Sequence, residues 1–145
     1  MSNERDADID RWCIEQMADA LIYADRQGVI VRWNAAASAL FGHSPAQAIG
    51  QSLDLIIPEK LRAAHGAAFE RAMETGVARL HGRATLTKAL TAGGGSIYVE
   101  MSFAVLTDAK GKAIGSVAIA RDATERRQEA QELRERLAAL ERGAA

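Results

Sequence analysis

The 145-residue sequence predicts an α+β domain, a five-stranded antiparallel sheet with short helices and one longer helix between strands two and three. Amphipathic helices are expected to flank it at both ends. Three observations predict this class. Two β-type runs near the N-terminus are joined by a tight turn, and three longer ones near the C-terminus are joined by short links rich in glycine. The stretch between these groups reads at helical spacing. Links this short demand antiparallel neighbours, because a parallel return needs a crossover of roughly a dozen residues. The expected organisation is a cap helix over 1–17, one domain over 18–121 and a C-terminal signalling or coiled-coil helix over 122–145.

Taken in order, Ile9, Trp12, Cys13, Gln16 and Met17 recur at helical spacing. They predict a helix that buries Trp12, with Cys13 as a small buried hydrophobe and not a reactive thiol. Residues 20–24 and 29–33 are strands joined by Asp25-Arg26-Gln27-Gly28, a hairpin turn. Asn34 is placed to cap a short helix closed by Gly42, and Ser44-Pro45-Ala46-Gln47 has the hydroxyl, proline and glutamine of a capping box. Trp33 and Phe41 are expected in the core. Residues 79–90, 96–106 and 113–120 read as the last three strands, with turn formers between them. Asp122 is a candidate cap for the final helix, where Ala130, Leu133, Leu137 and Leu140 repeat at heptad-like spacing amid Glu and Arg. That stripe suits a partner helix, with docking back on the domain as the alternative.

The formal charge of −1 and the mixed distribution of acids and bases leave no electrostatic footprint for nucleic acid or an anionic membrane surface. The single cysteine excludes an internal disulfide and any multi-cysteine zinc site. No apolar run approaches a membrane span, and the polar N-terminal residues do not resemble a signal peptide, so the expected location is cytoplasmic. Neither a phosphate loop, a nucleophile elbow nor a carboxylate pair argues for catalysis, and the expectation is a non-enzyme.

The longer helix, residues 58–76, carries the best candidate site. Pro58 suits a helix start and Gly76 a left-handed end. Leu61, Ala64, His65, Ala68, Phe69, Ala72 and Met73 share one face, so His65 points inward among small side chains that can border a cavity. His43 reads as a loop residue and His81 as a strand residue, and neither has metal-ligand spacing.

Several motifs lie along this element order: Asp19 to Asp25 with Gly28, Trp33-Asn34-Ala35-Ala36-Ala37, Leu40-Phe41-Gly42, Ile49-Gly50-Gln51, Ile57-Pro58 to Gly76, and Arg121-Asp122-Ala123-Thr124-Glu125-Arg126. Together they resemble the PAS sensory domain. Within that family the chain is most similar to the heme-binding PAS domains of oxygen-sensing histidine kinases, parts of two-component systems, and of the direct oxygen sensor phosphodiesterase. The resemblance implies heme b with His65 as its iron ligand, Arg71 as a propionate partner, and Met101 and Phe103 over the distal face. Leu61 and Phe69 flank His65. The distal arginine of those sensors falls at Thr85 and the phosphodiesterase methionine at Arg83, so neither is matched. Strand alternation turns Arg83 outward, whereas the family alignment turns it inward, and both placements stand open. The implied signal is a diatomic gas or a redox change. The implied partners are a second copy, through the flanking helices, and a downstream signalling protein or output domain. Two other readings remain: a cofactor-free dimerisation or interaction module, in which His65 only packs the core, and a receptor for a small apolar metabolite. A photoreactive flavin site would need a cysteine within 53–61, and none is there.

Overall fold

The computed structural model describes residues 2–78 and 83–143. A helix, α1 (Ser2–Gln16), precedes the hairpin β1 (Ala20–Asp25) and β2 (Ile30–Trp33). Then come α2 (Ala35–Phe41), α3 (Pro45–Ala48), one 3-10 turn (Leu53–Ile56) and α4 (Glu59–Thr75). The chain closes with β3 (Thr85–Leu90), β4 (Ser96–Thr107), β5 (Ala113–Asp122) and α5 (Thr124–Gly143). The strands form one antiparallel sheet in the order β2-β1-β5-β4-β3, so the helices between β2 and β3 carry the chain from one edge to the other across a single face.

Local chemistry accounts for most boundaries. In the hairpin, Asp25 Oδ1 accepts from the N–H groups of Gln27 and Val29 at 2.9 and 3.0 Å. Val29 is thereby drawn out of the ladder, bridging Ser52 instead, and β2 starts one residue later than expected. Asn34 caps α2, and Ser44 and Gln47 complete the capping box of α3. Pro58 is the residue before α4 and not its first turn, while Gly76 ends α4 at φ 75° as the sequence requires.

Three expectations are corrected. The third strand begins at Thr85 and not at Arg79: residues 83–84 are irregular, and 79–82, including His81, lie outside the described residues. As an edge strand β3 is held from one side only, and its ladder opens where Thr85 meets Met101. Trp12 is not buried, being 49% exposed, and Cys13 is exposed too. The reason is that α1 meets the body mainly at α2, leaving its apolar stripe without a facing surface.

The core lies between the sheet and the crossing helices. Ile22, Ile30, Trp33, Phe41 and Val99 are at most 2% exposed. The Trp33 ring packs on Phe41 at 5.5 Å, and its Nε1–H is shared between Ser38 Oγ and the His43 carbonyl. On β4, Ile97, Val99, Met101, Phe103 and Val105 face this core, and Tyr98 and Glu100 face away.

Candidate ligand-binding site

The two halves of α4 sit differently on the sheet. Phe69, Ala72 and Met73, toward its C-terminal end, are buried. Toward the N-terminal end Leu61 is 45% exposed, Ala64 and Ala68 are exposed, and His65 is half-buried. The helix is therefore pinned at one end and stands off at the other. Beneath the raised half lies a cavity of about 350 Å³, within the range of small-molecule pockets. Leu61, Ala64 and His65 roof it; Ile22, Ala89, Met101, Phe103, Ser116 and Ala118 floor it; and Leu53, Ile56 and Ile57 wall one side. Small residues on both surfaces, Ala64 above and Ala89, Ser116 and Ala118 below, leave the space unfilled. The Arg62 Nε–H donates to the Ile57 carbonyl at 3.0 Å and ties the first turn of α4 to the segment before it.

His65 is the one titratable ring in this lining. Its imidazole stacks toward Phe69 at 6.4 Å, and Phe69 meets Phe103 edge-on at 6.5 Å, an aromatic column from roof to floor. Burial pushes the imidazole below its ordinary pKa, partly opposed by the negative charge of Asp54. The ring is therefore neutral at pH 7 and keeps a nitrogen lone pair for a ligand. Among the described residues no side-chain hydrogen bond occupies its ring nitrogens.

A pH dependence follows from this depression. On acidification the unfolded chain takes up the His65 proton first. The stability carried by the neutral ring is thus fully present above about pH 6.5 and is lost as pH falls through the lower, folded-state value. Urea midpoints should fall more steeply between about pH 7 and pH 5 for the native sequence than for His65→Gln. Parallel profiles would contradict this account.

The expected site residues divide into two groups. His65, Leu61, Met101 and Phe103 line the cavity, with Phe69 buried behind the imidazole. Arg71 is exposed on α4 and outside the lining. Arg83, ahead of β3, and Thr85, its first residue, are exposed and likewise outside the lining. Lys88 belongs to the lining through its strand, but its register opposite Tyr98 turns its side chain to the other face of the sheet. Ile56, Ser116 and Ala118 were not singled out from the sequence. Their contribution depends on strand order, which local patterns do not reveal.

Comparison with known proteins agrees with this architecture. A family model described as the PAS fold matches residues 14–128. The chain belongs to the PAS family. The sensor protein FixL of Bradyrhizobium diazoefficiens is 36% identical over 61 residues, 42% of this chain and 12% of that protein. An uncharacterised protein of Azorhizobium caulinodans is 34% identical over 93 residues, 63% of this chain and 13% of that protein. This PAS chain thus spans about an eighth of either relative. The crystal structure of a PAS domain from Colwellia psychrerythraea superposes with a TM-score of 0.71 at 22% identity, covering 82% of this chain and 98% of that one. No helix among the described residues is long and apolar enough to cross a membrane.

Proposed function

We propose that this PAS domain is a sensory module whose input is heme b in the cavity under α4, where His65 would hold its iron, and whose output is the packing of its terminal helices in a homodimer. The observation that carries the reading is the imidazole of His65 in the roof of a largely apolar cavity. A lone imidazole suffices as protein ligand for a metal that brings its own equatorial donors. The donor set suits such a group on that side, where His65 would hold the iron and Leu61, Ile56, Ile57, Met101 and Phe103 would contact the macrocycle, but the cavity of about 350 Å³ is smaller than a porphyrin and admits it only if α4 moves outward. The raised, loosely packed half of α4 is the element able to give way for it. The fit is weaker at the rim, because Arg71 and Arg83 lie off the lining.

Bound there, heme would supply an open iron position for a diatomic gas. Across the cavity from His65, Met101 and Phe103 would give such a ligand apolar contacts, and the Ser116 hydroxyl on the floor would be its one candidate hydrogen-bond donor there. The path outward runs through the floor strands. Met101 and Phe103 are on β4 and Ser116 and Ala118 on β5, and β5 leads directly into α5. The start of α5 is fastened to the opposite face of β4. There the Ala123 N–H donates to the Tyr98 carbonyl at 2.8 Å, the Arg127 guanidinium lies 3.9 Å from the Tyr98 ring centroid, and Arg126 pairs with Glu100 at 2.9 Å. A ligand that favours one spacing of these strands would bias the packing of α5. The recipient is a downstream signalling protein or output domain.

Titration with hemin tests the input. A saturable Soret band is expected that His65→Ala abolishes while far-UV circular dichroism is unchanged. Absorbance like that of free hemin in the native sequence would overturn the heme reading and leave the cavity to a small apolar metabolite or to no ligand.

A further inference from the structure

The floor of the cavity carries a hydroxyl that the packing of the domain does not use. The inward row of β5 runs Ser116, Ala118, Ala120, and the neighbours of Ser116 across the sheet, Ala24 of β1 and Val105 of β4, are apolar. Ser116 is 1% exposed. The side-chain hydrogen bonds nearby, from Tyr23 to the Ile114 carbonyl and from Arg26 to the Ala113 carbonyl, leave its hydroxyl out. Among the described residues every side-chain oxygen or nitrogen sealed from solvent has a partner. The Ser116 hydroxyl has none, so it is not sealed: it is the part of the residue that opens into the cavity. A partnerless hydroxyl in so buried a place is destabilising, and a ligand that brings the complementary group relieves it.

The surroundings set the class of that ligand. Most of the lining is apolar, Ile22, Ile56, Met101 and Phe103 included, and the Phe103 ring suits packing against another ring. Lys88 is the one lining side chain with a fixed charge, and it turns to the other face of the sheet. A carboxylate or an ammonium would lose its water here without gaining a counter-charge. We infer that the cavity, with α4 where it stands, takes a small uncharged ring compound with one hydroxyl or carbonyl group, which Ser116 holds by a hydrogen bond. Such binding goes beyond the heme reading and does not rest on it. Because heme needs α4 to move outward, the two occupants exclude each other, and the small one favours the lowered helix.

Binding of acetophenone, α-methylstyrene and benzoate to the full chain tests this, read from the shifts of backbone amide resonances on β4 and β5. α-Methylstyrene keeps the shape of acetophenone but has a methylene in place of the carbonyl oxygen. Acetophenone should bind saturably and benzoate should not. Ser116→Ala should weaken acetophenone roughly fivefold, the worth of one neutral hydrogen bond, and leave α-methylstyrene unchanged. Equal effects on the two compounds, no saturable binding of acetophenone, or benzoate binding as tightly as acetophenone overturns the inference. The hemin titration stands apart, since a missing Soret band sinks the heme reading and leaves the small ligand in place. Where hemin does bind, acetophenone should raise the hemin concentration at half saturation, and an unchanged midpoint contradicts the shared site.

Discussion

Asn34→Ala is expected to lower stability by about 3 kcal/mol and the melting temperature by roughly 10 °C. The side chain is fully buried and all of its hydrogen-bonding capacity is committed. Its Oδ1 accepts from the N–H groups of Leu21 and Ala37, both at 2.9 Å, so one atom caps α2 and closes the start of β1. Its Nδ2 donates to the carbonyls of Ile14 and Asp19 at 2.9 and 3.1 Å, which fastens the last turn of α1 and the link after it. Alanine leaves two buried N–H donors and two carbonyls without these partners. The loss of a buried donor's partner costs about 1–3 kcal/mol, because the desolvation of the remaining group goes uncompensated. Asn34→Asp separates the two sides of this joint. It keeps the acceptor but turns a carboxylate toward two carbonyl oxygens, so hydrogen exchange should quicken in the last turn of α1 before it quickens in α2. An unchanged melting temperature in the alanine variant would sink the account.

Gly115→Val is the second large effect, expected at 3 kcal/mol or more, about the upper end of overpacking costs. Gly115 lies in β5 opposite Asp25 of β1 and Leu106 of β4, at the centre of the sheet. A Cβ there would fall on the Ala24 carbonyl oxygen and crowd the Tyr23 ring. The ring could swing aside, although its hydroxyl donates to the Ile114 carbonyl at 3.2 Å. The carbonyl cannot, because it belongs to the β1–β5 ladder. The damage should therefore appear as loss of the central pairing, with a lowered urea midpoint and poor soluble yield. Gly111→Ala, in a turn with open space around it, is the control; it carries only the strain of its positive φ of 80°. Equal losses in the two variants would contradict the close-approach explanation.

What was legible in the sequence, and what was not, divides by the range of the interactions. Asn34, Gly42, the Ser44 capping box and Gly76 act on backbone groups a few residues away, so their roles could be read directly and the structure bears them out. The five-strand count and the placement of the helices followed from turn chemistry and periodicity. The sequence places the start of β3 too early because its alternation runs on through residues 83 and 84 whether or not a neighbour is there to complete the ladder. Trp12 and Cys13 are exposed for a related reason: a helical stripe says which residues could be covered and not what covers them. For Arg83, the open choice between an inward and an outward side chain gives way to an exposed position ahead of the strand.

The candidate site shows both limits. Helical spacing alone puts His65 on the inner face of its helix with a run of alanines, and the PAS resemblance makes that histidine worth attention. Strand order is decided only in three dimensions. It brings β5 between β1 and β4 and so sets Ser116 and Ala118 beneath the imidazole, forming a cavity that no segment contains by itself. The sequence by itself determined the order of the elements, the caps of α2 and α3, the end of α4 and the seam of α5, because these depend on neighbours within about one or two helical turns. The tertiary structure decided that α4 is pinned at Phe69 and Met73 and raised at His65, and that Arg71 lies outside the lining. It also decided that the leucines of α5 face outward, since each of these is a matter of which distant surface is close enough to exclude water.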